Sequence, residues 1–173
     1  MALTKLLSGG ITDDAVGVDA LNLTNNLLFT GRLAGDIPHG VAVHDNSTSF
    51  DGTQRVQGLD SSLSSSDVTI STTNNRLTPT VAGKYICGAI HSFNGSGASA
   101  YTPYIYLRKN GTGFQTNTGI ESYSGSHNET SCVIGIASFN GSTDYFETAH
   151  AHNAGTTMTS NDKGRTFMFR ISD

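Results

Sequence analysis

Residues 84–93 alternate between bulky and smaller side chains, with the two-residue period that places successive side chains on opposite faces of a β-strand. A strand with one bulky face and one small or mixed face suits a sandwich of two sheets, so we expect this strand to organise the core. Pro79 belongs at the strand entrance, because proline cannot donate a ladder hydrogen bond. Ala82-Gly83 predicts a tight turn, because glycine tolerates a positive φ. The bulky face comprises Tyr85, Cys87, Ala89, His91 and Phe93, and the other face comprises Ile86, Gly88, Ile90 and Ser92.

Shorter runs with the same alternation recur after residue 38, and turn-forming residues separate them. Strands at this spacing, with no convincing helix after residue 39, predict an all-β fold built as an antiparallel sandwich or barrel. Residues 45–66 are rich in Ser, Asp and Gly, which predicts a long loop with one short edge strand near residues 54–56. The predicted strands are residues 39–44, 68–72, 84–93, 101–109, 114–121, 131–139, 144–152 and 166–171, with further turns at residues 74–75 and 94–97.

Two Asn-Gly dipeptides predict hairpins, because both residues tolerate the positive φ of a two-residue hairpin loop. Asn110-Gly111 is expected to reverse the chain after residue 109. Asn140-Gly141 is expected to make antiparallel partners of residues 131–139, which predict a buried strand, and residues 144–152. Residues expected to share a face of their strand are Val41 with Val43, Ile105 with Leu107, and Phe167 with Phe169 and Ile171.

Residues 1–38 differ in character from residues 39–173, and we interpret them as an N-terminal docking arm before a single domain. The arm carries more apolar surface than a free tail should expose. We therefore expect it to pack on its own domain, on sister copies or on another protein. The residues expected to dock are Leu23, Leu27, Leu28 and Phe29.

The charge of the chain excludes some partners. Charged residues make up 14% of the 173 residues, against about 25% in ordinary soluble domains, and the net charge is −4. Because no basic block is present, nucleic acid is not an expected partner. The first ten residues lack the apolar run of a signal peptide, and no run is long enough to span a bilayer, so we expect neither export nor a membrane partner.

Cys87 and Cys132 both lie in strand-like runs. We expect two buried thiols, because nothing in the sequence indicates an oxidising compartment. A disulfide between the two sheets is the alternative.

Four segments share a pattern with a known family: LTPTVAGKYICGAI at 77–90, IYLRKNGT at 105–112, TDYFETAHAH at 143–152 and TFMFRISD at 166–173. In this order they resemble the strands of the tumour necrosis factor-like jelly roll that is shared with the globular heads of complement collagen-like proteins. The resemblance covers about residues 39–173 and implies a jelly-roll sandwich that forms tight trimers. Phe169 stands where the family usually has Gly, and Thr143 stands where it has Gly before the matching Asp144.

The segment ITDDAVGVDALNLTNNLLF, at 11–29, resembles the amino-terminal segments of bacteriophage fibres and decoration proteins. The two resemblances together imply a non-enzymatic virion protein, made in the host cytoplasm. The first interpretation is a trimeric capsid decoration protein that docks on the major capsid protein, or another virion protein, and stabilises the shell. The second is a tail-fibre tip that binds cell-surface glycan through loops at residues 45–66, 94–102 and 122–130.

Two groups of side chains are candidates for a site. His150 and His152 lie two apart on one predicted strand and therefore share a face. They suit a contact between subunits, or a metal site if a third ligand comes from elsewhere. Tyrosine suits a subunit interface because it buries area and keeps a polar tip, and it also suits stacking on sugar rings. The clustered tyrosines are Tyr101, Tyr104, Tyr106 and Tyr123, and we favour the interface for them.

No motif indicates catalysis. The chain lacks a Gly-x-Ser-x-Gly elbow, and its glycine-rich turns lack the Lys and following helix of a phosphate loop. A glycan-cleaving enzyme needs paired carboxylates, and Asp144 and Glu147 are too loosely placed to form such a pair. We therefore expect no catalytic residue, no cofactor and no required metal.

Overall fold

Thirteen β-strands and no helix make up the part of the chain that the computed structural model describes. The described residues are 37–45, 48–50, 52–98, 102–118, 125–153 and 158–173. The strands are β1 (His39–His44), β2 (Ser49–Phe50), β3 (Arg55–Val56), β4 (Leu59–Ser66), β5 (Val68–Ser71), β6 (Arg76–Pro79), β7 (Gly83–Ala98), β8 (Pro103–Lys109), β9 (Thr112–Thr118), β10 (Gly125–Phe139), β11 (Phe146–His152), β12 (Met158–Ser160) and β13 (Arg165–Ser172).

The strands form two antiparallel sheets. In sheet A, β4, β1, β13, β7 and β10 lie side by side in that order, β12 also pairs with β7, and β2 pairs with β12. In sheet B the order is β5, β6, β11, β8 and β9, and β3 also pairs with β11. The chain crosses repeatedly between the sheets, for example at β6–β7, β7–β8 and β10–β11, and the first described strand pairs with the last. The predicted all-β, antiparallel jelly-roll sandwich is confirmed.

The organising strand is β7, which pairs with β10 on one side and with β13 and β12 on the other. Its five predicted core residues, from Tyr85 to Phe93, are all fully buried. They pack with sheet B residues such as Leu77, Leu107 and Phe146. The turn predicted at residues 94–97 was wrong, because β10 continues to pair with β7 as far as Ala98 and satisfies its backbone there.

The entrance to β7 differs from the prediction in one respect. Residues 76–79 form a separate strand, β6, which ends at Pro79 and pairs with β5. The predicted turn then follows, and Gly83 has a φ of +148°. A Cβ at this position would lie 2.4 Å from the carbonyl oxygen of Ser172. Glycine is therefore required both by the backbone conformation and by the close approach of β13.

The long loop predicted over residues 45–66 was wrong. Three strands occupy this region, and the longest, β4, lies along β1 at the edge of sheet A. Most of its side chains are exposed, and two register shifts interrupt its pairing. Its serine-rich composition predicted a loop because the side chains face water, whereas the strand is held by backbone hydrogen bonds and tolerates polar residues at an edge. The short strand expected near residues 54–56 is present as β3.

The two Asn-Gly dipeptides have different roles. Asn110 and Gly111 have φ values of +52° and +79° and join β8 to β9 as the predicted hairpin. The hairpin predicted at Asn140 was wrong, because β10 pairs with β7 in sheet A while β11 pairs with β8 in sheet B. The Oδ1 atom of Asn140 accepts hydrogen bonds from three successive backbone N–H groups, those of residues 142–144. This turn therefore carries the chain from one sheet to the other.

Cys87 and Cys132 both lie in the described part of the chain, and neither forms a disulfide bond. Cys87 is buried, and burial raises the pKa of its thiol. Cys132 is exposed, so the predicted burial was wrong for this residue. It lies on the outward side of β10, which among the described strands pairs with β7 alone.

We expect the substitution Tyr85→Ala to lower the free energy of unfolding by about 3–5 kcal/mol, as large truncations in packed cores do. The Tyr85 ring is fully buried and meets the Phe139 ring edge-on at 5.6 Å. Its hydroxyl donates a hydrogen bond to the Val81 carbonyl at 2.8 Å. As a control, Tyr85→Phe removes only this bond and should cost about 1 kcal/mol. Urea melts provide the measurement, and a loss below about 1 kcal/mol for Tyr85→Ala would contradict the core position.

Candidate functional site

The outward side chains of sheet A form rows across its strands, because paired residues of antiparallel strands share a face. One row runs from Ile134 of β10 through Gly88 and Phe167 to Val41 of β1. The next row contains Ile136, Ile86, Phe169 and His39, and a third contains Cys132, Ile90, Arg165 and Val43. The three rows contain no carboxylate. We call this surface the outer face of sheet A.

Large apolar side chains on the outer face of sheet A are open to solvent. Ile134 and Ile136 are 57% and 60% exposed, and Phe169 is 39% exposed. Ile171, which adjoins the rows at the end of β13, is 45% exposed. A single exposed aliphatic residue is ordinary on a protein surface, whereas a contiguous apolar patch marks a surface that another molecule covers.

The aromatic side chains of β13 hold fixed positions on this face. The Phe167 ring lies directly over Gly88, where an added Cβ would approach Cζ to 2.3 Å. The Phe169 ring stacks on the His39 ring, with centroids 5.9 Å apart and planes inclined by 13°. Glycine at position 88 thus leaves room for the end of the Phe167 ring against the sheet.

The sequence predicted part of this surface. Phe167, Phe169 and Ile171 were expected to share a face, and they do, although that face is the outer one. Residues 131–139 were expected to be buried, yet Ile134 and Ile136 are among the most exposed apolar residues described. The sequence did contain a signal for the exposed face. A strand in a sandwich needs only one apolar face, whereas these strands are apolar on both.

The predicted tyrosine cluster is only partly described. Tyr104 and Tyr106 are half-buried and pair with Ala151 and Ala149 of β11, which places them on the outer side of sheet B. Tyr101 and Tyr123 lie outside the described residues, and so do the four predicted docking residues of the arm, Leu23, Leu27, Leu28 and Phe29.

His150 and His152 lie inside the sandwich and are 0% and 2% exposed. A contact with another subunit, as predicted for them, does not fit this position. They share a face as expected, but it is the inner face of sheet B, because His150 pairs with the buried Ile105. His150 contacts the buried His91 of β7, which in turn contacts the buried His44 of β1. Sequence reasoning placed His91 on the core face but did not connect it with the others.

We call His44, His91 and His150 the histidine cluster. The ring centroids of His44 and His91 are 4.5 Å apart, and those of His91 and His150 are 5.3 Å apart. The Nδ1 atoms of His91 and His150 are 3.3 Å apart and join sheet A to sheet B. Nε2 of His44 lies 2.8 Å from the Thr166 hydroxyl, which in turn contacts the Thr148 hydroxyl at 2.9 Å.

Burial keeps the histidine cluster neutral. It lowers the pKa of His44 to about 3. Electrostatic effects of His150 and Arg165 act in the same direction, and the effect of Asp45 acts in the opposite direction. Burial likewise lowers the pKa of His150 to about 3. The pKa of His91 is well below its ordinary value, first because of burial and then because of the other two histidines.

The carboxylates considered for catalysis form separate ion pairs. Asp144 lies 2.8 Å from Lys109. This contact lowers the pKa of Asp144, and so does a hydrogen bond from the Asn110 side chain. Glu147 lies 3.2 Å from Arg108, and burial raises the pKa of Glu147 against the opposing effect of Arg108. Each carboxylate thus forms an ion pair with a neighbouring basic side chain.

Within the described ranges, no group of three or more His, Cys, Asp or Glu residues is placed to hold a metal ion. No helix in the part of the chain that is described is long and apolar enough to cross a membrane. No protein-family model matches the sequence, and a search of the curated proteins finds no significant match.

We expect a metal chelator to leave the melting temperature unchanged, because no group of three possible ligands among the described residues is placed to hold an ion. The ring nitrogens of the cluster instead contact one another and the Thr166 hydroxyl. Thermal melts with and without chelator provide the measurement, with zinc added back as the control. Binding of a structural metal contributes directly to folding free energy, so a fall of many degrees would contradict the expectation and point to these histidines as ligands.

Proposed function

We propose that this protein is a non-enzymatic structural protein of a bacteriophage virion, a trimeric decoration protein that docks on the capsid shell and stabilises it. The observation that carries the proposal is the apolar outer face of sheet A, with Ile134, Ile136 and Phe169 exposed on it. A monomer that left this face in water would be prone to nonspecific association.

Further copies of the same chain are the occupant we propose for this face. Complete burial of a fully exposed isoleucine or phenylalanine contributes about 1.5–3 kcal/mol, so side chains about half exposed would each contribute roughly 1–2 kcal/mol. The face lacks carboxylates, which disfavours a basic partner. A closed ring of identical copies buries the surface on every subunit. The resemblance of residues 39–173 to a trimeric jelly-roll family favours three copies.

Docking on the shell is assigned to the arm, residues 1–38. Its apolar composition favours a protein partner, here the major capsid protein or another virion protein. One short arm binds weakly, because ordering the chain offsets much of the gain from apolar burial. Three arms on one trimer bind together with high effective concentration, provided that all three reach their sites.

A tail-fibre tip that binds cell-surface glycan is the second candidate. Tyr104 and Tyr106 favour it, because they lie on the outer side of sheet B beside the small residues Ala151 and Ala149. Aromatic side chains with a polar tip suit such a surface. This surface lies on the opposite sheet from the outer face of sheet A, so glycan binding and trimer formation do not compete.

We expect a trimer at micromolar concentration and its disruption by the double substitution Ile134→Lys, Ile136→Lys. Both side chains are exposed in the single chain, so lysine is tolerated in the fold but places six charges in the proposed interface. Light scattering measures the mass, expected at three times 18.2 kDa for the unmodified protein and at 18.2 kDa for the variant.

The matched control is Thr112→Lys, Thr116→Lys, which adds the same charge to exposed positions of β9 on sheet B. This variant should remain trimeric. A monodisperse monomer of the unmodified protein would contradict the proposed trimer. A trimer that persists after the isoleucine substitutions would show that the interface lies on another surface.

Deletion of residues 1–35 should leave a soluble, folded trimer that no longer decorates particles. The physical reason is that residues 37–173 form a compact unit with the complete sandwich. Circular dichroism and light scattering test the fold, and sedimentation with undecorated shells tests docking. An unfolded or monomeric product would make the arm part of the folded core, and unchanged decoration would place docking on the sandwich surface.

A further inference from the structure

We propose that the histidine cluster is a proton-triggered switch, which holds the two sheets together while its rings are neutral and loosens the sandwich in mild acid. The cluster brings together residues from three strands in two sheets. His44 on β1 and His91 on β7 belong to sheet A, and His150 on β11 belongs to sheet B. All three side chains are fully buried. The proposal does not depend on the virion role.

The contact between the sheets requires at least one neutral ring. Nδ1 of His91 and Nδ1 of His150 lie 3.3 Å apart, so one nitrogen must donate a proton and the other must accept it. Protonating both rings leaves two donors facing each other and removes this bond. Apart from the contacts already given, Nδ1 of His44 and Nε2 of His91 have no hydrogen-bond partner among the described residues that would stabilise an added proton.

The charged surroundings also oppose protonation. A proton on His44 would lie beside Arg165 of β13, and a proton on His150 would lie near His152 of its own strand and Arg55 of β3. Asp45, which follows β1, acts on both rings in the opposite sense. Because the His91 ring lies within about 5 Å of each of the other two rings, a proton on one ring raises the cost of protonating its neighbour.

The close packing leaves no room to relieve the charge without opening the core. Gly164 lies against the His44 ring, and a Cβ there would approach Nδ1 to 2.2 Å. On the other side, the His91 ring contacts the fully buried Phe93 ring at 6.1 Å. A protonated ring that turns toward water therefore has to separate the strands that enclose it.

The direction of the pH effect follows from the lowered pKa values. A histidine with a pKa of about 6.5 in the unfolded chain and about 3 in the folded protein takes up a proton when the protein unfolds in mild acid. The free energy of unfolding is therefore unaffected by this histidine well above pH 6.5 and decreases as the pH falls below 6.5. His44 and His150 each raise the unfolding constant about 8-fold between pH 6 and pH 5. We expect the same factor from His91, whose pKa is lowered well below its ordinary value, so that the three together raise the unfolding constant about 500-fold.

The experiment is a series of urea melts of the full chain from pH 7.5 to pH 4.5, at one protomer concentration and with chelator present. We expect the unfolding constant to rise about 500-fold between pH 6 and pH 5, and to recover when the pH is restored. His91→Gln keeps a neutral donor and acceptor but does not titrate, so its rise should be about 60-fold. His44→Gln and His150→Gln should each give the same reduction, and either serves if His91→Gln does not fold.

Thr148→Val is the matched control. Thr148 is buried and touches Thr166, the hydrogen-bond partner of His44, but valine removes only a hydroxyl that does not titrate. This variant should lose the same stability at every pH and keep the full pH dependence. A rise below about 10-fold in the unmodified protein, or an unchanged rise in the histidine variants, overturns the switch. A reduced pH dependence in Thr148→Val would also overturn it, because the effect would then follow packing rather than proton uptake.

Discussion

The pairing of β7 with β10 on one side and β13 on the other is the constraint on which the rest of the structure depends. Residues paired in antiparallel strands share a face, so the inward position of Tyr85 also directs Ala137 and Arg170 inward. The same register directs Ile136 and Phe169 outward. The packed core and the exposed apolar face are therefore two results of one pairing, and a shift by one residue would exchange them.

The two exterior surfaces of the sandwich differ in chemistry. Sheet B carries ion pairs on its outer side, including Arg108 with Glu147, and the Arg76 guanidinium lies 4.7 Å from the centre of the Tyr145 ring. Such groups are stable in water. Sheet A presents isoleucine and phenylalanine on three strands, β7, β10 and β13, and the three rows that cross them contain no carboxylate. This asymmetry is the physical basis for proposing that one sheet faces solvent and the other faces protein.

The interior is also divided. At one end of β7, Tyr85 and Phe139 pack as an apolar core, whereas at the other end His44, His91 and His150 share the space between the sheets. Neutral imidazole packs well and forms hydrogen bonds, so its burial costs little free energy at neutral pH. Burial becomes unfavourable in acid, where an exposed imidazole would be protonated. The fold thus places an acid-sensitive contact at the junction of its two sheets.

The sequence by itself determined the all-β class, the core face of β7 and the Asn110-Gly111 hairpin, because alternation and turn chemistry are local properties that need no distant partner. Only the tertiary structure decided that Asn140 leads to the other sheet, that the serine-rich β4 pairs with β1, and that Ile134 faces outward while His150 faces inward. Each of these depends on which strand lies alongside and which sheet lies opposite. Alternation shows that two faces exist, and long-range pairing alone decides which of them meets the core.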